Sequence, residues 1–319
     1  MLMKSYLARI LMGIAGLLTL LTLLGFLGTL YWLFDVMAYW RLQYAVLLLL
    51  LTIGLFLLNH RRVARWLLLP MLLNVVALAP FFLPDDPPVG EGPTLAVLGI
   101  NIQAETEDMA PLAALLQDEQ PDVVVVTEAQ PKHLKGLQQQ LPDLYPYVVD
   151  ETQEGYFGIL VLSKRPIAAQ QNHQLGINGH LSVELLMEWQ GKEITIYGVH
   201  LHPPLSEWGT EQRDSERADL AMIIGGIEEP QIVVGDFNAT PWTYTMSGLT
   251  KAGELRHATR GFGVWPTWWM GSRLIGLPYD HILISPDFVS EAFALGPDVG
   301  SDHLPVIARI RFRDQAESR

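Results

Sequence analysis

The chain has 319 residues, enough for one membrane region and one large folded domain, and half of them are hydrophobic. Fifteen of its 21 basic residues and 33 of its 34 acidic residues follow Leu83, so that part carries a net charge of −18 and is a poor electrostatic partner for a polyanion. The absence of cysteine excludes a disulfide framework and any thiolate metal site.

Three apolar stretches predict a transmembrane region over residues 1–84. They run over about 7–34, 42–59 and 63–83, and each is long enough to cross a hydrocarbon layer of about 30 Å. A cleaved signal peptide is the alternative for the first stretch, but its apolar run exceeds the usual core and no clear cleavage site follows it. Pro70 and Asn74 lie in the third stretch, so we expect neighbouring helices to satisfy the polar groups there.

The basic residues of this region predict its orientation. Five of the six lie in the amino-terminal flank or the second loop, and only Arg41 lies in the first loop. Because basic loops stay in the cytoplasm, three spans would export everything after Pro84. In a bacterium this predicts an inner-membrane protein with a periplasmic catalytic domain. A third stretch that does not cross would reverse the orientation.

Residues 85–92 predict a stiff, acidic linker, because Pro and Gly are frequent there. A domain follows over 93–312, with a polar tail over 313–319. Its patterns predict helices over 109–119, 133–141 and 207–224 and short strands over 95–101, 123–127, 158–163, 181–187, 194–199 and 232–234. Strands with occasional helices are typical of a two-sheet sandwich flanked by helices.

The central strand is followed by two short polar side chains, Asp236 and Asn238. If the strand continues through Phe237, both side chains face the same space at the mouth of the sheet. For a phosphoester substrate, Asp236 would align or deprotonate a water and Asn238 would donate a hydrogen bond to developing negative charge. An Asx-turn that closes a core strand is the structural alternative.

Other polar residues stand at the ends of apolar strands. Asn101 ends one strand and Glu128 ends another, and their oxygens are hard donors suited to Mg²⁺ or Mn²⁺. His200 ends a third strand. His202 lies two residues later, before two prolines, and is more typical of a loop. Towards the end of the chain, Asp280 precedes an apolar strand, and Asp302 and His303 precede the last one.

These segments, in this order, resemble the signature of the endonuclease/exonuclease/phosphatase superfamily, the fold of DNase I, over about residues 93–312. The closest subgroup is the membrane-anchored bacterial YafD-like members. The resemblance implies an α+β fold, a four-layer α/β/β/α sandwich. It also implies that Glu128 is the principal ligand of Mg²⁺ (Mn²⁺ is possible), with Asn101 beside it and Asp302 near the metal. Gln103 departs from relatives that carry an acid at this position.

The resemblance also assigns catalytic roles. His303 activates water as the general base, Asp280 orients it, and His200 contacts the scissile phosphate, together with Asp236 and Asn238. These assignments predict a membrane-anchored, Mg²⁺-dependent phosphoesterase, either a phosphodiesterase or a phosphatase. An exported nuclease and a catalytically inactive, membrane-tethered binding module are the alternatives.

The aromatic segment 262–270 bears on the substrate. Trp268 is predicted to pack near the pocket, whereas Trp265, Trp269 and Met270 form either a core cluster or an apolar rim that touches lipid. The second possibility suggests a membrane lipid as the phosphoester substrate. Nucleic acid is not excluded as a partner, and the sequence does not indicate a protein partner.

Overall fold

A computed structural model describes residues 2–83, 92–269, 271–272 and 275–313. The predicted linker before Gly92, the rim residue Met270 and the tail after Arg313 lie outside these ranges. The chain divides into two compact units. The first is Met1–Leu83 with Trp242–Tyr244, and the second is Pro84–Pro241 with Thr245–Arg319.

The first unit is helical. Its elements are helix α1 (Leu2–Leu24), helix α2 (Trp32–Met37), a 3₁₀ turn (Ala38–Trp40), helix α3 (Arg41–Leu57) and helix α4 (Arg61–Phe82). Three stretches are long and apolar enough to cross a membrane: Met3–Leu24, Trp32–Leu57 and Arg61–Phe82. The first ends about ten residues earlier than the sequence predicts. Helix α1 stops before Gly25 and Gly28, where the backbone turns so closely that a Cβ on Gly28 would lie 3.0 Å from Asp35 Oδ1.

Polar side chains inside the helical unit bind one another. Asn74 of α4 donates from Nδ2 to Thr22 Oγ1 of α1 at 2.9 Å and to the Pro70 carbonyl at 3.0 Å. Its Oδ1 accepts from Arg41 Nη1 at 3.4 Å, and Arg41 Nη2 donates to the Gly25 carbonyl at 3.0 Å. The prediction that Asn74 needs partners from neighbouring helices is therefore confirmed.

The second unit contains two six-stranded sheets. The first sheet comprises β1 (Leu95–Asn101), β2 (Val123–Thr127), β3 (Tyr147–Glu151), β4 (Ile159–Ser163), β11 (Phe288–Leu295) and β12 (Val306–Phe312). The second comprises β5 (Ile167–Leu175), β6 (His180–Trp189), β7 (Lys192–His200), β8 (Gln231–Asp236), β9 (Arg256–His257) and β10 (Asp280–Ile284). The strand orders are β11-β12-β1-β2-β4-β3 and β5-β6-β7-β8-β10-β9.

Helices cover the outer faces of both sheets. Helices α5 (Ala110–Glu119) and α6 (Pro131–Gln140) pack on the first sheet. Helix α7 (Glu207–Ile224) lies against the second sheet, where Gln231 Nε2 donates to the Ile224 carbonyl at 2.9 Å. A short helix, α8 (Tyr244–Ala252), follows β8. The predicted four-layer α/β/β/α sandwich is confirmed.

The alternation of side chains explains the layers. In β1, Leu95 and Val97 face the second sheet, whereas Leu98 and Ile100 face α5 and α6. Each such side chain contributes about 1.5–3 kcal/mol when fully buried. The sheets approach closely at Gly99, where a Cβ would lie 2.8 Å from Val234 Cγ1. This contact lies two residues from the ends of β1 and β8, so the ends of the two central strands are held together.

Candidate active site

Strand register brings three predicted site residues together on the second sheet. Asp236 ends β8, and its parallel neighbour in β7 is His200. Its antiparallel neighbour in β10 is Asp280. The carboxyl ends of β7 and β8 therefore meet the amino end of β10, and all three residues are at least 95% buried.

The first sheet supplies two more residues. Asn101 ends β1 and Glu128 follows β2 directly. Asn101 Nδ2 donates to Glu128 Oε1 at 2.9 Å and to Asp236 Oδ2 at 3.1 Å, so one amide joins the two sheets. Glu128 Oε2 accepts from the Ala104 N–H at 2.9 Å. The structure thus places Asn101 between the two carboxylates.

The backbone is left-handed at two of these positions. Glu128 has φ 55° and Asn238 has φ 48°. Such conformations cost about 1–2 kcal/mol for a residue with a Cβ and concentrate at functional sites. The expectation of an extended strand through Asn238 was wrong, because β8 ends at Asp236. The Oδ1 atom of Asp236 accepts a hydrogen bond from the Asn238 backbone N–H at 2.8 Å. This turn, and not strand alternation, brings Asn238 to the site.

His303 is fixed by a carboxylate and a hydroxyl. The ring atom Nδ1 lies 2.7 Å from Asp280 Oδ2, and the backbone N–H of His303 donates to Ser301 Oγ at 3.0 Å. Burial alone would lower the pKa of His303, but the carboxylates of Asp280, Asp236 and Asp302 together raise it to about 10. In the metal-free protein the imidazole is therefore protonated at neutral pH.

Asp236 is the centre of the cluster. Its Oδ2 lies 3.7 Å from His200 Nε2 and 3.8 Å from His303 Nε2, in addition to its contact with Asn101. Burial, followed by the negative charge of Asp280, raises the pKa of Asp236 to about 6. A carboxyl with this pKa exchanges its proton close to neutral pH.

His200 faces Asp236, and His202 does not. The Nδ1 of His200 lies 2.9 Å from the Tyr156 carbonyl, which fixes Nδ1 as the protonated nitrogen and turns Nε2 to Asp236. Asn238 Nδ2 donates to the Leu201 carbonyl at 2.9 Å and lies 3.5 Å from His200 Nε2. His202 Nδ1 instead lies 3.0 Å from the Pro203 carbonyl.

Residues 98–303, which include the whole cluster, match the model of the Endonuclease/Exonuclease/phosphatase family. The chain belongs to the endonuclease/exonuclease/phosphatase family. Members of this family are metal-dependent hydrolases of phosphoesters. A search of curated proteins gives no match to this sequence. The YafD-like subgroup stays a prediction.

Solved structures of endonuclease/exonuclease/phosphatase proteins share the fold. A family member from Beutenbergia cavernae is 19% identical, with a TM-score of 0.57, over 69% of this chain and 72% of its own. A humanized TDP2 from D. rerio is 18% identical, with a TM-score of 0.58, over 68% of this chain and 99% of its own. The human nocturnin catalytic domain is 20% identical, with a TM-score of 0.55, over 70% of this chain and 96% of its own.

The donor set fits the metal expected of the family. Asp236, Asp280 and His303 offer ligand atoms within 4.8 Å of one another. Asp280 Oδ1 is buried and accepts no hydrogen bond from the described part of the chain. Glu128 adds a half-buried carboxylate, joined to Asp236 by two hydrogen bonds from the Asn101 amide. The carboxylate oxygens of this cluster, whose negative charge His303 neutralises in part, suit a hard divalent cation.

Asp302 is the predicted site residue with the weakest connection to the others. Its Oδ2 accepts from Trp268 Nε1 at 3.0 Å, and its charge helps to raise the pKa of His303. Trp268 also stacks on Tyr279, with ring centroids 5.2 Å apart, so it packs beside the site as expected.

In the proposed apolar rim, Trp265 is 38% exposed and Trp269 is half-buried.

Several positioning residues were missed from the sequence. Ser301 Oγ donates to the Asn101 carbonyl at 2.7 Å and so ties the His303 loop to the first sheet. Thr267 Oγ1 accepts from the Asp280 N–H at 3.1 Å. Both lie inside segments already singled out by sequence, next to His303 and Trp268. Tyr156, whose carbonyl orients His200, lies in a segment with no polar pattern that would reveal it.

Proposed function

We propose that the protein is a membrane-anchored, Mg²⁺- or Mn²⁺-dependent phosphodiesterase. The surroundings of Asp236 carry this proposal. Its carboxylate lies beside Asn101, His200 and His303. Asp236 is also paired with Asp280 on the neighbouring strand. Such a centre combines a proton acceptor, two imidazoles and an adjacent carboxylate, which are the groups that hydrolysis of a phosphoester needs.

The geometry supports a shared role for two side chains. Asp236 Oδ2 and His303 Nε2 lie 3.8 Å apart, so this pair can take the proton of the attacking water, and the protonated imidazole can donate to the phosphate. Asp280 holds the His303 ring through Nδ1 at 2.7 Å. His200 Nε2 contacts the phosphate from the other side of Asp236.

Glu128, with Asn101 beside it, and the carboxylates of Asp236 and Asp280 would hold the cation, with Asp302 nearby. A divalent cation there supplies positive charge that polarises the phosphate oxygens and lowers the pKa values of its neighbours. Asn101 holds Glu128 and Asp236 in register, since its amide donates to both.

The test is hydrolysis of bis(p-nitrophenyl) phosphate by the full-length protein in detergent. We expect turnover with Mg²⁺ that EDTA abolishes and that Glu128→Ala removes. The matched control is Glu107→Ala, because the Glu107 side chain is 79% exposed and pairs with the surface residue Lys132. Absence of turnover with either metal would favour the catalytically inactive binding module.

We also infer a membrane position and a membrane-associated phosphoester. The three apolar helical stretches support anchoring, and the charge bias of the loops supports export of the catalytic unit to the periplasm. The net charge of −18 after Leu83 opposes approach of a polyanion, and proximity to a bilayer favours a lipid headgroup.

A nuclease is the second candidate, because a D. rerio TDP2 with the same fold was solved with a single-stranded DNA product. Competition at fixed Mg²⁺ between plasmid DNA and mixed phospholipid vesicles separates the two. Nicking of DNA well above lipid turnover would establish the nuclease and end the lipid hypothesis.

A further inference from the structure

A polar cleft of about 800 Å³ opens beside the active site. Tyr156 and Phe157 line it on the side that faces His200. The Tyr156 carbonyl lies 2.9 Å from His200 Nδ1, and the Phe157 ring centroid lies 5.2 Å from that of His200. A phosphate that contacts His200 is therefore next to the mouth of this cleft.

The lining is rich in groups that hydrogen-bond neutral hydroxyls. Four amide side chains and two carboxylates face the cleft, namely Gln153, Asn172, Gln174, Asn178, Glu151 and Glu154. Its lining contains no lysine or arginine within the described ranges. An anionic group would meet two carboxylates and no fixed cation, so this lining opposes phosphate or carboxylate on the ligand.

Gln174 and Asn178 have amide groups available for a ligand. Within the described part of the chain, neither side-chain amide makes a hydrogen bond to protein, and both residues are exposed. Asn172 uses Oδ1 to accept from Gln170 Nε2 at 3.1 Å, and Gln170 also donates to Glu151 Oε1 at 2.9 Å. The amides thus form a row along one face of β5, where residues 170, 172 and 174 point to the same side.

A buried carboxylate on α7 fixes the far wall. Glu216 is fully buried, and its Oε1 lies 2.5 Å from His180 Nδ1 while its Oε2 accepts from the His202 N–H at 2.7 Å. His180 stacks on Phe157 with ring centroids 3.7 Å apart. The Gly176 N–H of the β5–β6 turn donates to Asp219 Oδ2 at 2.7 Å. The wall is therefore organised before any ligand arrives.

We propose that this cleft binds the alcohol portion of the phosphodiester and selects an uncharged, hydroxyl-rich group such as a glycerol or another polyol. This rests on the proposed phosphodiesterase function. The amides donate to and accept from neighbouring hydroxyl groups, and the carboxylates accept from them. The stacked Phe157–His180 pair supplies an apolar surface for the C–H face of a polyol. The phosphate stays at Asp236 while the cleft holds the leaving alcohol.

The first experiment compares diesters that share a methyl phosphate half and differ only in the second alcohol. Full-length protein in a polyoxyethylene detergent, which lacks sugar and choline headgroups, is given Mg²⁺ with methyl phosphoglycerol, methyl phosphoethanolamine or methyl phosphocholine. We expect the lowest KM with the glycerol diester. Phosphatidylglycerol and phosphatidylcholine in mixed micelles form the second arm, which distinguishes a lipid source of the polyol from a soluble one.

The second experiment uses variants of two amides that line the cleft. Gln174→Ala and Asn178→Ala should each raise KM for glycerophosphoglycerol about tenfold, the cost of one or two lost hydrogen bonds, and leave kcat within about twofold. The matched control is Gln171→Ala, because Gln171 is exposed, lies on the opposite face of β5 and does not line the cleft. The KM for bis(p-nitrophenyl) phosphate, which carries no hydroxyl group, should change little in all three variants.

Two outcomes would overturn the inference while leaving the proposed function intact. One is a lower KM for the choline diester than for the glycerol diester. The other is an unchanged KM in both cleft variants while bis(p-nitrophenyl) phosphate is still hydrolysed. If that chromogenic diester is not hydrolysed either, the proposed function fails. Calorimetric titration of glycerophosphoglycerol then still tests the cleft, because weaker binding by Gln174→Ala than by Gln171→Ala would support it and equal binding would not.

Discussion

The central carboxylate of the site destabilises the metal-free protein at neutral pH, so we predict that Asp236→Asn stabilises it. Burial and the charge of Asp280 raise the pKa of Asp236 from 3.8 to about 6. This difference corresponds to about 3 kcal/mol of cost for the charged form. The substituted amide keeps the bond from the Asn238 N–H but turns an N–H towards Asn101 Nδ2, where the carboxylate accepts. Losing that bond costs about 1 kcal/mol, which leaves a gain of about 2 kcal/mol.

The gain in stability of Asp236→Asn over the wild-type protein must depend on pH in a defined direction. An acid whose pKa is raised by folding binds its proton more tightly in the folded state, so stability is highest at low pH. The wild-type protein therefore loses stability as pH rises from 3.8 through about 6, and the variant does not. The two stability curves cross in this window, with the variant less stable below it and more stable above it. The pKa of His303 is raised to about 10 in part by the charge of Asp236, so His303 adds a loss of stability between pH 6.5 and 10 to the wild-type protein and a smaller one to the variant.

Urea unfolding of the full-length protein in detergent with EDTA, followed by near-UV circular dichroism, measures these curves. Asp118→Asn on the exposed face of α5 is the matched control, because it removes a solvated carboxylate. Above neutral pH, adding Mg²⁺ should make the wild-type protein more stable than the variant, because the cation binds the wild-type carboxylate in the folded state. A variant that is no more stable than wild type at pH about 8, or a difference that is the same at every pH, would refute the reasoning.

Three further predictions concern catalysis and topology. Glu128→Ala should abolish Mg²⁺-dependent hydrolysis without changing the circular dichroism spectrum, and activity regained at saturating Mg²⁺ would show that Glu128 is not the anchor of the metal. His303→Ala should lower kcat by on the order of 10²-fold, and Asp280→Asn should lower it by less; a silent Asp280→Asn would mean that the pair has no role in turnover. A reporter joined after Pro93 should be active as alkaline phosphatase and dark as green fluorescent protein, and the opposite pattern would place the domain in the cytoplasm.

The sequence predicted the strands and the residues at their ends because both follow from local patterns. Four consecutive valines before Thr127 allow only a buried strand, and a carboxylate that ends such a run needs a polar or metal partner. Helix α7 was predicted at its observed bounds because its patterned run is limited by a Ser206 cap and Gly225. The order of these elements indicated a two-sheet sandwich flanked by helices, and the resemblance to the superfamily implied its four layers.

The remaining features depend on contacts between distant segments. The left-handed turn at Asn238 is local, since Asp236 closes it as the Asx-turn named as the alternative, but the position of Asn238 Nδ2 beside Leu201 and His200 is a distant contact that no local pattern specifies. The first helix ended early because a turn at Gly28 packs on Asp35, whereas hydropathy registers only an apolar run. The polar cleft escaped sequence analysis for a similar reason: Glu216 meets His180 across 36 positions.

The hydrogen bond from Ser301 to Asn101 closes a loop of 200 residues, and that has consequences for how the protein folds. Contacts so distant in sequence form late, because the chain must first lose the entropy of closing the loop. Asn101 can reach Asp236 only when the two sheets have docked, across another 135 positions. The cluster around Asp236 is therefore complete only when both sheets are in place. A chain that ends at any point before His303 holds most of the site residues and cannot complete the cluster.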